Sequence, residues 1–144
     1  YGTEVLMNGT KQVTDGNVRK DFPGGFPGDT RSCFTTEGRT KAENDMFRWT
    51  ARLLHWRQGN EVITKGKQTQ FIPQNGVYVV ARSYNGKNVM TVINGTSKAA
   101  TMKAERYAEI IGDAQEATNI LTGHKINISK DVKLAPRGVM VLEF

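Results

Sequence analysis

The spacing of apolar residues changes once along this chain, and that change sets what it can fold into. Between Thr40 and Gly59, the residues Met46, Trp49, Leu53 and Trp56 recur at helical spacing, with Phe47, Ala51 and Leu54 beside them. The pattern predicts an amphipathic helix of about four turns, ended by Gly59. Thr40-Lys41-Ala42-Glu43 supplies a capping box at its start, in which the Thr hydroxyl and the Glu carboxylate each accept from a free backbone N–H. The apolar face is broad and rich in large side chains, so it needs a partner surface wider than a lone hairpin.

From Glu61 onward the period is that of strands. Val77 to Arg82 reads as a strand, Asn85-Gly86 as a hairpin turn, and Lys87 to Asn94 as the returning strand. Asn94-Gly95 marks another turn. Further short strands are expected at Ala99 to Lys103, Asn119 to Leu121, Lys125 to Ile128 and Gly138 to Phe144. Residues 104–118 fit either a helix or irregular chain. Short strands separated by turn signals imply an antiparallel β-sandwich. The two regimes meet near residues 59–66.

Ahead of the helix, Tyr1 to Met7 reads as the tail of a buried strand. It runs into a Gly/Pro/Asp-rich stretch, Asn8 to Gly38. Loops of that length are functional or disordered, and Phe22, Phe26 and Phe34 argue for a packed one. Strand end, long loop and helix in that order are how an α/β barrel presents a substrate loop. The expectation is a piece of a larger protein.

Composition narrows the function. The charge of +6 raises nucleic acid as a partner, but the 20 Lys and Arg are scattered, with Arg19-Lys20 the only adjacent pair. A solvated surface is the better reading. No apolar run is long enough to span a bilayer. Cys33 is the sole cysteine, so no intramolecular disulfide or cysteine-cluster metal site can form. His55 and His124 have no second ligand nearby in sequence, and no metal or other cofactor is expected.

Three stretches carry a family resemblance. The first is Tyr1-Gly2-Thr3-Glu4 with Asp15-Gly16-Asn17-Val18-Arg19 and Asp21-Phe22-Pro23-Gly24-Gly25. The second is Arg39-Thr40 leading into Glu43-Asn44, with Leu53, Leu54 and Trp56-Arg57. The third is Val77 to Arg82 and Val89 to Asn94, ending in Leu134-Ala135-Pro136-Arg137-Gly138 and Val139 to Phe144. In this order they resemble the C-terminal end of an alpha-amylase-family glycoside hydrolase. The resemblance is to the neopullulanase and cyclomaltodextrinase type, as in Bacteroides-like gut anaerobes that degrade starch.

The resemblance implies a fold and a role for each part. Residues 1–60 would be the C-terminal remnant of a catalytic (β/α)8 barrel: strand end, substrate-side loop and last helix. Residues 61–144 would be the family's C-terminal domain, a mainly β, antiparallel Greek-key sandwich. The parent would cleave α-1,4-glucosidic bonds of starch, maltooligosaccharide or cyclodextrin, with α-1,6 bonds left as a further option. Such relatives often work outside the cytoplasm, in the periplasm or beyond. Retaining glycoside hydrolysis needs two carboxyl groups about 5 Å apart. The family draws them from strands upstream of residue 1, so no catalytic residue is expected in this chain, and Glu4 and Asp21 are not candidates. The chain alone would be inactive.

Asp15 and Arg19 are the expected substrate-binding pair. In the family an Asp and an Arg at this spacing contact a glucose unit on the non-reducing side of the cleaved bond. A carboxylate accepts from sugar hydroxyls and a guanidinium donates through a fixed fork. The alternative is that the two only brace the loop. Gly16 stands where many relatives carry Pro. Phe22 and Phe26 would form a loop mini-core or a sugar platform, and Trp49 and Trp56 would be core.

Two other readings compete. One is a free-standing carbohydrate-binding module using Tyr78, Tyr84 or Tyr107. The other is a structural domain without a ligand. If the barrel is incomplete, self-association through residues 1–58 is expected, since large apolar patches seldom stay exposed on monomers.

Overall fold

The computed structural model describes all residues, 1–144. The chain divides into two compact units, Tyr1–Trp56 and Arg57–Phe144.

The first unit is loop and helix. Helix α1 spans Lys41–Gln58 and begins at the anticipated capping box. The Thr40 N–H donates to Glu43 Oε2 at 2.7 Å, and the Glu43 N–H donates to Thr40 Oγ1 at 3.3 Å. Residues 1–7 are not extended. They form a 3-10 turn at Thr3–Val5, with Gly2 and Leu6 in the left-handed region on either side. Strand conformation requires a neighbour to take up its ladder bonds. No such neighbour lies beside it, and the groups close on themselves: Val5 and Met7 N–H both donate to the Gly2 carbonyl.

The second unit opens with a short helix, α2 (Glu61–Lys65), capped by the Asn60 side chain, which accepts from the Val62 N–H. Eight strands follow: β1 (Lys67–Gln70), β2 (Val77–Tyr84), β3 (Lys87–Asn94), β4 (Ala100–Met102), β5 (Glu116–Asn119), β6 (Lys125–Asn127), β7 (Val132–Leu134) and β8 (Val139–Glu143). Six form one sheet in the order β1-β2-β3-β8-β5-β6, and β4 pairs with β7 in a second sheet. Every pairing is antiparallel. The chain crosses between the sheets after β3, β4, β6 and β7, and the last strand enters between β3 and β5. The predicted mainly β, antiparallel sandwich is therefore the fold of this unit.

Alternation explains its core. Along β2, Val77, Val79 and Ala81 are buried while Tyr78, Val80 and Arg82 are half-buried. Met90 and Val92 of β3 and Leu142 of β8 join them. Met102, Ile128, Val132 and Leu134 close the core from the second sheet and its flanks. Residues 104–118, open from sequence, hold a 3-10 turn at Ala104–Tyr107, a short helix α3 (Ala108–Ile111) and the start of β5. Tyr107 and Ile111 of that segment are buried. Strands β1 and β7 and helix α2 had no expectation. All three are short: β1 reads Lys-Gln-Thr-Gln, which carries no apolar alternation, and β7, Val-Lys-Leu, buries Val132 and Leu134 but is only three residues long.

Candidate functional site

The candidate site is the Asn8–Gly38 loop of the first unit. It is ordered by its own polar groups. Asp29 Oδ2 accepts from the Gly24 N–H at 2.7 Å and the Phe26 N–H at 3.2 Å. The Cys33 N–H donates to the Pro23 carbonyl at 2.9 Å. Gly38 must be glycine: an added Cβ would lie 1.8 Å from the Ser32 carbonyl oxygen.

Arg31 and Arg39 fasten the loop to the start of α1. The Arg31 guanidinium forks onto Glu43, with Nη1 to Oε2 at 2.8 Å and Nη2 to Oε1 at 2.9 Å. Arg39 donates to Asn44 Oδ1 and to the Cys33 carbonyl, and lies 4.0 Å over the Phe47 ring. Asn44 in turn donates to the Thr36 carbonyl. Bidentate Arg–carboxylate pairs are among the stronger charge-assisted contacts. Sequence reasoning found Glu43 as a cap but not its second partner. Arg31 lies twelve residues away, and only its fork shape hinted at such use.

Glu43 is the one buried carboxylate of the chain. The Arg31 hydrogen bond, then the Thr40 N–H, hold its carboxyl down at about 2 from an ordinary 4.5. A general acid for glycoside cleavage needs the opposite, a carboxyl held protonated near neutrality. Glu43 is therefore a permanent anion that anchors the loop. No group of three or more His, Cys, Asp and Glu side chains gathers where it could hold a metal ion.

Asp15 and Arg19 come together on one turn. Asp15–Val18 is a 3-10 turn capped by Thr14, whose hydroxyl accepts from the Asn17 N–H at 3.2 Å. This turn places Arg19 Nη2 3.6 Å from Asp15 Oδ2, with both side chains mostly in solvent. The turn is held from behind: Asn17 Oδ1 accepts from the Thr10 N–H, and Lys20 Nζ donates to the Asn8 carbonyl. Asn8, Asn17 and Lys20 line a hollow of about 300 Å³ together with Tyr1, Met7 and Val18. Neither Asp15 nor Arg19 lines it. The pair stands outward in solvent.

The aromatic candidates separate. Phe22 packs on Phe34 with ring centroids 4.7 Å apart, but Phe34 is 66% exposed and Phe26 58%, so these contacts decide for neither an enclosed mini-core nor a sugar platform. Trp49 is 46% exposed, not core as expected. No apolar side chain of α1 is buried, because nothing in its own unit covers that face. Tyr107 is buried against Phe71, edge to face at 4.9 Å, and is removed as a sugar platform. No helix is long and apolar enough to cross a membrane.

Comparison with solved structures finds the same fold in alpha-amylases. The chain resembles the Geobacillus thermoleovorans alpha-amylase solved with acarbose at 19% identity and TM-score 0.67, covering 99% of this chain and 28% of that one. It resembles an Anoxybacillus alpha-amylase at 18% identity and TM-score 0.62, with 99% and 27% covered. A maltogenic amylase from S. marinus matches at 14% identity and TM-score 0.59, with 99% and 16% covered. The chain thus spans about a quarter or less of the length of these enzymes. Residues 68–143, just over half of the chain, match the cyclo-malto-dextrinase C-terminal domain, and the chain belongs to that family.

Proposed function

We propose that this chain is the C-terminal part of a starch- or maltodextrin-degrading glycoside hydrolase of the neopullulanase or cyclomaltodextrinase type. The observation that carries the reading is the family match over residues 68–143 beneath a likeness that runs over 99% of the chain. In the parent, residues 1–60 close the catalytic barrel and residues 61–144 form the terminal β-domain. Cleavage of α-1,4-glucosidic bonds by a retaining mechanism uses carboxylates from the rest of the parent. The only enclosed carboxylate here, Glu43, is tied up by Arg31 and Thr40.

Asp15 and Arg19 bind the α-glucan. Their exposure and shared turn support contact with sugar, and a braced loop does not require them, since Asn17, Lys20 and Thr14 already hold the turn. The Geobacillus alpha-amylase was solved with acarbose, and another match, AmyP, with maltose and, as a point variant, with maltotriose, which supports a glucan as the ligand class. The uncovered face of α1 is covered by neighbouring barrel elements in the parent. In the isolated chain Met46, Trp49, Leu53 and Trp56 drive self-association.

The test is kinetic, on the enzyme whose gene carries this segment. Asp15→Ala and Arg19→Ala each lower kcat/KM on maltooligosaccharides about tenfold, the weight of one hydrogen bond to a charged group. The 144-residue chain alone turns over neither maltooligosaccharide nor cyclodextrin. Unchanged kcat/KM in both variants would remove the pair from the substrate site. Turnover by the pure short chain would overturn the whole reading.

A further inference from the structure

Four Asn-Gly dipeptides occur in this chain: Asn8-Gly9, Asn75-Gly76, Asn85-Gly86 and Asn94-Gly95. Glycine after asparagine leaves its backbone nitrogen unhindered to attack the Asn side chain. In sequence the four are equivalent, but in the fold they are not. Asn94 is 1% exposed, and its carboxamide donates to the Lys98 and Ala135 carbonyls and accepts from the Thr96 N–H and hydroxyl. The Gly95 N–H is also spent, on the Gly76 carbonyl at 2.8 Å. Asn75 and Asn85 sit in two-residue hairpin turns, with φ of 51° and 49° followed by glycines at 77° and 73°. Both central residues at positive φ make these type I′ turns. They are clamped by the Gln74–Val77 hydrogen bonds and by the Tyr84–Lys87 strand pair. To bring the glycine nitrogen onto the Asn side chain, either turn must first rotate out of its left-handed conformation.

Asn8 lacks every one of these protections. It is exposed, its φ is not positive, and neither its carboxamide nor the Gly9 N–H makes a hydrogen bond. One contact favours reaction. Lys20 Nζ donates to the Asn8 backbone carbonyl at 3.3 Å. That carbonyl belongs to the same peptide group as the Gly9 nitrogen. A cation on the oxygen stabilises the imidate anion left when the Gly9 N–H is removed by base, and this anion is the nucleophile.

We propose that Asn8-Gly9 is a self-modifying site of this chain, converting to aspartate and isoaspartate with Lys20 as the promoting group. The Gly9 nitrogen, its proton lost to base, bonds to Asn8 Cγ. The side-chain nitrogen takes up a proton and leaves as ammonia, giving a five-membered succinimide. Water then opens the ring at either carbonyl. Aspartate results from one opening and isoaspartate, with an extra methylene in the main chain, from the other. The consequence is local. Gly9 packs so closely on the turn that a Cβ there would lie 2.1 Å from the Asn17 carbonyl oxygen. A lengthened backbone at residue 8 must displace Gly9 or Asn17, the latter lying inside the Asp15–Val18 turn.

The test is peptide mapping by mass spectrometry of the full chain incubated at mildly alkaline pH, natively and in denaturant. In the native protein Asn8 converts roughly tenfold faster than Asn75 or Asn85, and Asn94 is slowest. In denaturant the four rates converge, because the shared Asn-Gly sequence then governs. Lys20→Gln slows conversion at Asn8 severalfold and leaves Asn85 unaffected, with circular dichroism confirming an intact fold. If Asn8 is no faster than the hairpin sites in the native protein, or leads equally in denaturant, the site is refuted. If Lys20→Gln leaves its rate unchanged, the assignment of Lys20 is overturned.

Discussion

The two units solve the problem of order by different means. Sixteen of the eighteen buried hydrophobic residues lie in Arg57–Phe144, and only Val5 and Cys33 lie in Tyr1–Trp56. The β-unit is held by burial. The loop-and-helix unit is held by directed polar contacts: the Arg31–Glu43 fork, the Arg39 contacts to Asn44 and Cys33, and the Asp29 and Thr14 side chains that close turns. Burial is non-directional and tolerates variation in the detail of each contact. Polar stapling fixes geometry but is exposed to pH and salt. A loop whose shape matters more than its stability gains from the second strategy.

That contrast can be broken from the β side first. Leu142→Ala removes a fully buried side chain from β8, which pairs with both β3 and β5. The expected cost is about 2–5 kcal/mol in denaturant unfolding of the β-unit, without effect on proteolysis of the loop. A smaller loss follows Asn94→Ala. It frees the Lys98 and Ala135 carbonyls and the Thr96 N–H from their partner, at about 1–3 kcal/mol. Calorimetry would read it as a lowered melting temperature of the same unit. A variant as stable as the parent would mean that water replaces the Asn94 contacts.

The reverse experiment touches the loop alone. Glu43→Gln keeps the shape of the side chain but breaks the charged fork to Arg31. Limited proteolysis within residues 8–38 should accelerate while β-unit unfolding stays unchanged. Acid should do the same to the unaltered chain. The Glu43 carboxyl is lowered from 4.5 to about 2 in the folded state, so its contribution is complete above 4.5 and is lost as pH falls from there toward 2. Loop cleavage that is flat across that window, or equal in Glu43→Gln and the unaltered chain, would show that the fork is not what holds the loop.

Much of this was legible in the residues. The capping box, the helix stop, the Asn85-Gly86 hairpin and the alternation along β2 and β3 are local statements, and each appears where its residues predict. Thr40 and Glu43 are three apart, so their reciprocal bonds need no other part of the chain. The resemblance drew attention to Asp15 and Arg19, and the 3-10 turn that joins them is again local. The readings that failed depended on neighbours. Tyr1 to Met7 has the composition of a strand, but without a pairing edge it turns on itself. Trp49 has the spacing of a core residue, but no surface of its own unit covers it.

Sequence alone fixed what one or two turns of chain decide: helix caps, hairpin turns, and which face of each strand is apolar, because these are set by steric and hydrogen-bonding rules over a few residues. The fold settled everything that joins distant positions. It put β8 between β3 and β5, paired Arg31 with Glu43, set Lys20 on the Asn8 carbonyl, and gave four identical Asn-Gly pairs three different surroundings. The physical reason is that such contacts form only once chain closure has been offset by burial and bonding elsewhere, and no local pattern encodes which partner will be there.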